Sequence, residues 1–198
     1  MKLKAFSIFA SLSFILLLAQ CTSDKASQQP LSPDEEKAYL DKGKAIAAAT
    51  FATLSSQLSV ALEKEGVAGA VRYCNLAAMP LVDSLSKANN ATIRRTSDRP
   101  RNSLDTPTGW EAEQLTAFQL AASKGEQLMP RLKLLDEKKV AFAAPIMLQP
   151  LCAKCHGAVG TDIAESDYAV IKELYPQDEA VGYKPGELRG MWSITFER

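Results

Sequence analysis

Gln149-Pro-Leu-Cys-Ala-Lys-Cys-His-Gly157 holds the only histidine of a 198-residue chain and two of its four cysteines. Cysteines three positions apart lie on one face of a helical turn. His156 follows Cys155 directly, so its ring projects from the same turn. Cys152, Cys155 and His156 therefore read as C-x-x-C-H, the attachment pattern of a c-type haem. In that pattern the two sulfurs reach the two vinyl groups and the imidazole takes one axial position of the iron. A zinc site would need more Cys or His ligands, and there is no second histidine. One covalent haem c is the expected cofactor.

Haem of this type is attached outside the cytoplasm, so an export signal should precede the motif. Lys2 and Lys4 form a short basic region, and residues 5–19 are a near-continuous apolar run. That run is short for a bilayer span and the right length for a signal-peptide core. It ends in Leu18-Ala19-Gln20-Cys21, which resembles a bacterial lipoprotein box with Gln20 where a small residue is usual. Residues 1–20 are expected to be removed and Cys21 acylated. Residues 21–33 are polar and rich in Pro, Ser and Gln, as a flexible tether would be. Residues 34–198 then form one domain, lipid-anchored to the bacterial cell envelope and facing the periplasm. Without acylation of Cys21 the protein would be soluble there.

Acidic and basic residues balance at 23 each, and loss of Lys2 and Lys4 leaves the exported chain at net −2. No basic face suited to nucleic acid follows from such a balance. A proline and three acidic positions open a helix at residue 33, with apolar spacing of three and four running to about residue 65. Gly66 and Gly69 interrupt it, and a second helix is expected over residues 68–88, with Pro80 as a kink or restart. Strands are expected at 91–96, 131–135, 139–148 and 190–196. Helices are expected at 110–124 and 165–175, with a helical turn at 151–156. Pro145 points to an edge or a bulge in the second of the paired strands. The class is α+β: N-terminal helices, then an antiparallel sheet with flanking helices.

The second axial ligand is open on residue type alone. Cys74, Met79, Met129, Met147 and Met191 are candidates, as is no residue at all. Methionines are mostly core fillers. Cys74 differs because a free thiol is a liability in an oxidising compartment, and Cys21, Cys152 and Cys155 are otherwise employed.

Six stretches together resemble a family of periplasmic, PAS-like single-haem c-type domains. They are Tyr73-Cys74-Asn75, Ile93-Arg94-Arg95-Thr96-Ser97, Arg101-Asn102 with Trp110-Glu111, Ala144-Pro145-Ile146, the Cys152–Gly157 motif, and Gly182-Tyr183 with Gly186-Glu187-Leu188-Arg189-Gly190. The family occurs alone and as the sensor part of signalling proteins. The resemblance implies a PAS-like sheet and His/Cys axial ligation, hence iron held by His156 and Cys74. Ser103 and Asp105 depart from the family's arginine-loop pattern. Anionic haem propionates would then find partners among Arg94, Arg95, Arg99, Arg101 and Arg189, with Arg95 and Arg101 foremost.

Two functions fit. One is a redox or diatomic-gas module that binds NO or CO and signals to a separate protein. The other is a single-haem electron carrier between envelope redox partners. No paired carboxylates or nucleophile constellation accompany the motif, so an enzyme is not expected. The lipoprotein reading predicts that mass spectrometry of the mature N-terminus finds a diacyl- or triacylglyceryl Cys21. An unmodified terminus beyond Cys21 would refute it.

Overall fold

A computed structural model describes residues 29–198. The signal peptide, Cys21 and residues 21–28 of the expected tether lie outside the described residues. The rest of that tether belongs to the fold. Arg198 donates to the carbonyl of Gln29 (3.1 Å), Ser32 caps the first helix, and Pro33 is its first residue. Ser32 and Glu35 satisfy each other's backbone N–H groups in a capping box.

The first helix, α1, spans Pro33–Asn89 but is broken at Gly66 (φ 66°, ψ −168°). Tyr73 donates to Gln57 at 3.3 Å. Sixteen helical residues would separate the two by about 24 Å along a straight axis. The chain therefore folds back at Gly66 into two antiparallel arms, the two helices expected on either side of that glycine. Gly69 lies buried inside the second arm, and that arm runs through Pro80 with helical geometry. Asn90, in the left-handed region, ends it.

Four strands follow: β1 (Ala91–Thr96), β2 (Arg131–Asp136), β3 (Lys139–Met147) and β4 (Leu188–Glu197). All neighbours are antiparallel and the order is β1-β4-β3-β2. Pro145 sits on β3 beyond the end of β2, whose pairing stops at Arg131 opposite Ala143. It thus occupies an open stretch of a strand that is central elsewhere. Register also shifts between Ile146 and Met147, next to the turn that carries the cysteines.

Alternation along the strands sorts the two faces. Ile93, Phe142, Ala144, Trp192, Ile194 and Phe196 pack with Ile46, Ala47 and Val82 of both α1 arms. Ala143 and Met191 face the other way, under Leu115 and Phe118 of α2 (Trp110–Ser123). Gly43 lets α1 approach the sheet closely, since a Cβ there would meet the Phe142 ring at 2.3 Å. The α1 hairpin, the sheet and α2 make three layers. Beyond them lie a helical turn, α3 (Ala153–His156), and α4 (Glu165–Leu174). Ile171 of α4 packs with Val71 of α1.

The hairpin depends on backbone geometry open only to glycine. Gly66 has open space around it, so any penalty at that site is conformational. Gly66→Ala is expected to cost about 1–3 kcal/mol, read as a lower midpoint in chemical denaturation with an unchanged slope.

Candidate haem site

A 3₁₀ turn (Pro150–Cys152) leads into α3, so Cys152 and Cys155 sit one helical turn apart. A later loop is laced to this segment by the backbone. Gly182 N–H donates to Gly157 (2.7 Å), Tyr183 N–H to His156 (2.9 Å), and Gly186 N–H to Leu148 (2.8 Å). Gly157 is required by close approach, because a Cβ would lie 2.6 Å from the carbonyl of Ala153 and 2.5 Å from Asp162.

His156 Nδ1 lies 2.8 Å from the carbonyl of Ala180. A carbonyl only accepts, so Nδ1 carries the proton and Nε2 is left with a free lone pair. Arg189 Nε stands 3.4 Å from the same Nδ1. Both groups are donors in this tautomer, so that approach acts through charge. Burial, then the charges of Arg101 and Arg189, hold the imidazole well below its usual pKa of 6.5. The ring is neutral, the form that donates to a metal.

Cys155 packs against the cluster of Val71, Ile163 and Ile171, of which Val71 belongs to the second α1 arm. Cys74 lies three residues past Val71, on the same face of that arm. It is close enough that its charge bears on the Cys155 thiol, which burial, above all, pushes up to about 11. Burial also raises the Cys74 thiol, against the opposing charges of Arg95 and Arg101. Both are protonated thiols in the bare chain. The fold therefore brings Cys74, Cys152, Cys155 and His156 into one region. Among the described residues no group of three or more Cys, His, Asp or Glu is placed to hold a metal ion. A haem bound there would be held by Cys152 and Cys155, with His156 and Cys74 as the side chains available to its iron.

The methionines fall elsewhere. Met191 is fully buried beneath α2 on the far face of the sheet. Met129 is exposed in the segment before β2. Met79 is five residues beyond Cys74 and so on another side of the helix. Met147 lines an apolar groove of about 330 Å³ between α1 and the open end of β3, with Phe51, Ile146 and Trp192.

The arginines divide by employment. Arg94 donates to the carbonyls of Leu104 and Thr106 and pairs with buried Glu111 at 3.4 Å. Arg99 donates to the carbonyls of Glu179 and Val181 and lies 4.3 Å from the centre of the Tyr183 ring. Arg189 donates to Ser97 Oγ at 2.7 Å and also lies over Tyr183. Arg101 pairs with the carboxylate of Asp178 (3.1 and 3.3 Å) and donates to the carbonyl of Cys155 at 2.5 Å. Its guanidinium is thus engaged in holding the fold. Arg95 has no hydrogen-bond partner among the described residues. It extends the row of Ala91 and Ile93 on the α1 face, opposite Trp192, and its charge bears on both Cys74 and His156.

The sequence profile of the Tll0287-like family matches residues 22–196. The chain belongs to the Tll0287-like family. A solved structure, that of the cyanobacterial haem protein Tll0287, aligns with a TM-score of 0.52 at 23% identity, over 77% of this chain and 95% of that one. The likeness shows the shared α+β fold. No match emerges among curated proteins. For the Tll0287-like chain described here, the wall formed by Asp178, Ala180 and Tyr183 was not assigned a role from sequence. Gly182-Tyr183 stood out as a motif, but nothing in the sequence marks Asp178 as a buried partner or Ala180 as the carbonyl that accepts from His156.

Asp178 has no side-chain exposure and Arg101 little. Removing one member of a buried pair leaves the other charge uncompensated. Asp178→Ala is expected to lower unfolding free energy by about 3–5 kcal/mol, whereas Lys37→Ala, at an exposed pair, should change it by under about 1 kcal/mol. Equal effects in urea titrations would refute the structural weight given to Arg101.

Proposed function

We propose that this chain binds haem, held as a single haem c through Cys152 and Cys155, with His156 and Cys74 as axial ligands. It acts as a redox or diatomic-gas sensing module tethered through Cys21 on the periplasmic side of the envelope. The observation that carries the reading is the packing of the C-x-x-C-H turn against the α1 arm that bears Cys74, in a chain of a family that takes its name from a haem protein. When bound, the haem supplies an iron that accepts one electron and can take a small ligand such as NO or CO.

The residues supply the rest. His156 is fixed in tautomer by Ala180 and kept neutral, so it donates steadily in either charge state. Cys74 is the variable partner. Its thiol is raised by burial, so a thiolate there depends on a nearby positive centre. Any loss of that charge favours the protonated thiol, a poorer donor. Cys74 lies eight residues from the hairpin apex, so release of its side chain frees one arm of α1. Arg95, without a hydrogen-bond partner among the described residues, is suited to an anionic carboxylate of the bound group. Arg101 serves the same end indirectly by holding the Cys155 carbonyl. The module senses or binds rather than catalyses, and passes its state to a separate redox or signalling protein.

Electron transfer is the second reading. It is favoured by the exposure of Leu151 and Lys154 beside the attachment turn, which leaves that edge open to a partner. A carrier keeps both ligands in both redox states, and a sensor does not. Protein from a cytochrome c maturation host should retain haem through acid–acetone extraction. Its ferric EPR spectrum should be low-spin with thiolate character. Cys74→Ala should turn it high-spin and raise the potential, and the ferrous wild type should bind CO. An unchanged ferric spectrum in Cys74→Ala, with a change on substituting Met79 or Met147, would refute the ligand pair and favour the carrier.

A further inference from the structure

We propose that the outward face of the first α1 arm is a docking surface for a second copy of this chain, with the two arms antiparallel about a twofold axis between Ala52 and Thr53. The inference is independent of the haem reading.

Residues 45–62 carry no charged side chain, although one side of this helix faces water. A helix at a protein surface normally keeps charges on its wet side, and one apolar on all sides is normally covered. Within this run only Ile46, Ala47, Thr50 and Ala61 are buried. The sheet and the second arm account for those four. Ala45, Ala49, Ala52, Ser56 and Val60 recur at helical spacing on the side turned away, and all are exposed, Val60 by 44%. The stretch is long and apolar enough to cross a membrane by composition, yet its inner side is part of the domain core. The unmet requirement lies only on the outer side.

Charge at the two ends selects the occupant. Exposed Lys42 and Lys44 precede the run, Lys42 with its Nζ 4.8 Å from the centre of the Phe196 ring, and exposed Glu63, Lys64 and Glu65 follow it, leaving the far end net negative. Asp41, beside the lysines, is already paired with Lys37 at 2.6 Å. Antiparallel pairing about Ala52 and Thr53 sets Lys42 of each copy opposite Glu63 of the other, and Ala45 opposite Val60. Parallel pairing would set lysine against lysine and glutamate against glutamate. Exposed pairs add little energy, but like-charge contact is disfavoured, so the ends fix direction and register. A twofold axis makes the same patch serve both copies. Small side chains at the centre allow close approach of the two helices.

The test uses the full chain in a Cys21→Ser background, so that neither acyl groups nor that thiol enters the readout. Under mild oxidation Ala52→Cys should cross-link to itself. Ala45→Cys should not, but should link to Val60→Cys when the two are co-expressed. Sedimentation should give a dimer mass for the parent chain. Ala49→Glu with Ala52→Glu, at exposed positions where the fold tolerates a helix-forming residue, should weaken association by about a hundredfold or more. Self-linking of Ala45→Cys alone would mean parallel arms and overturn the proposal. So would a monomer mass at every concentration. A monomer that floats with phosphatidylglycerol vesicles, and loses this in the double glutamate variant, would place a lipid surface on the face instead and equally overturn it.

Discussion

Arg101 ties together three segments that are far apart in sequence. It leaves the chain just after β1, pairs with Asp178 in the loop before β4, and donates to the carbonyl of Cys155 in the attachment turn. Burying a carboxylate with no exposure is costly unless its oxygens are well paired. Asp178 meets this condition with two contacts from one planar guanidinium and a third from the backbone N–H of Ala180. A lysine could not span the carboxylate and the carbonyl with the same fixed fork. Once Ala180 is held in this way, its carbonyl is in place for His156 Nδ1. The tautomer of the only histidine thus follows from an ion pair that never touches it.

The opposite wall of the site has a different origin. Cys74 is placed by the fold-back at Gly66 and by the packing of the second α1 arm on α4 and on Cys155. Neither arm would be stable alone in water, since most helical stability comes from packing an apolar face. Both arms bury that face on one side of the sheet, where Gly43 admits Phe142. The distance between Cys74 and the attachment turn is therefore set by the sheet and the hairpin together. Cys74 and the attachment turn, about 80 residues apart in sequence, become neighbours through these two contacts.

Most elements were legible in the sequence because their signals are local. Period-two and period-three-to-four patterns located all four strands and the longer helices within one or two residues. The proline and acidic turn at 33–36 fixed the first helix start, and Gly66 marked the hairpin. The antiparallel fold-back itself was not legible, because it depends on Tyr73 reaching Gln57 and on a shared core. In the site, Cys152, Cys155 and His156 were legible from spacing. Arg95 and Arg101 were chosen together from residue type, yet they differ in what surrounds them. Arg101 meets Asp178, a partner 77 residues away that no pattern reveals, while Arg95 meets none among the described residues. Tyr183 and Ala180 contribute a ring and a carbonyl, whose roles depend on where the loop is laced rather than on sequence alone.

The electrostatic state of the site also follows from these placements. Arg95, Arg101 and Arg189 all bear on His156 and lower its proton affinity. Asp178 is consumed by Arg101, and Asp105, which feels Arg95 and Arg189, is itself pushed up by burial. A buried region with such an excess of positive charge disfavours any further cation and favours anions. Cys74 feels two of the same arginines, which oppose the effect of its burial. The environment is therefore divided: desolvation holds the thiol protonated while the arginines draw it toward the thiolate. Burial outweighs the arginines, so the thiol stays protonated until a further positive charge adds to theirs. A change of one unit charge nearby is large on that scale, since even at an effective dielectric of about 20 it amounts to about 4 kcal/mol at 4 Å. At His156 burial and the three arginines act together, opposed only by the hydrogen bond to the Ala180 carbonyl. Burial and charge thus act together on His156 but against each other on Cys74.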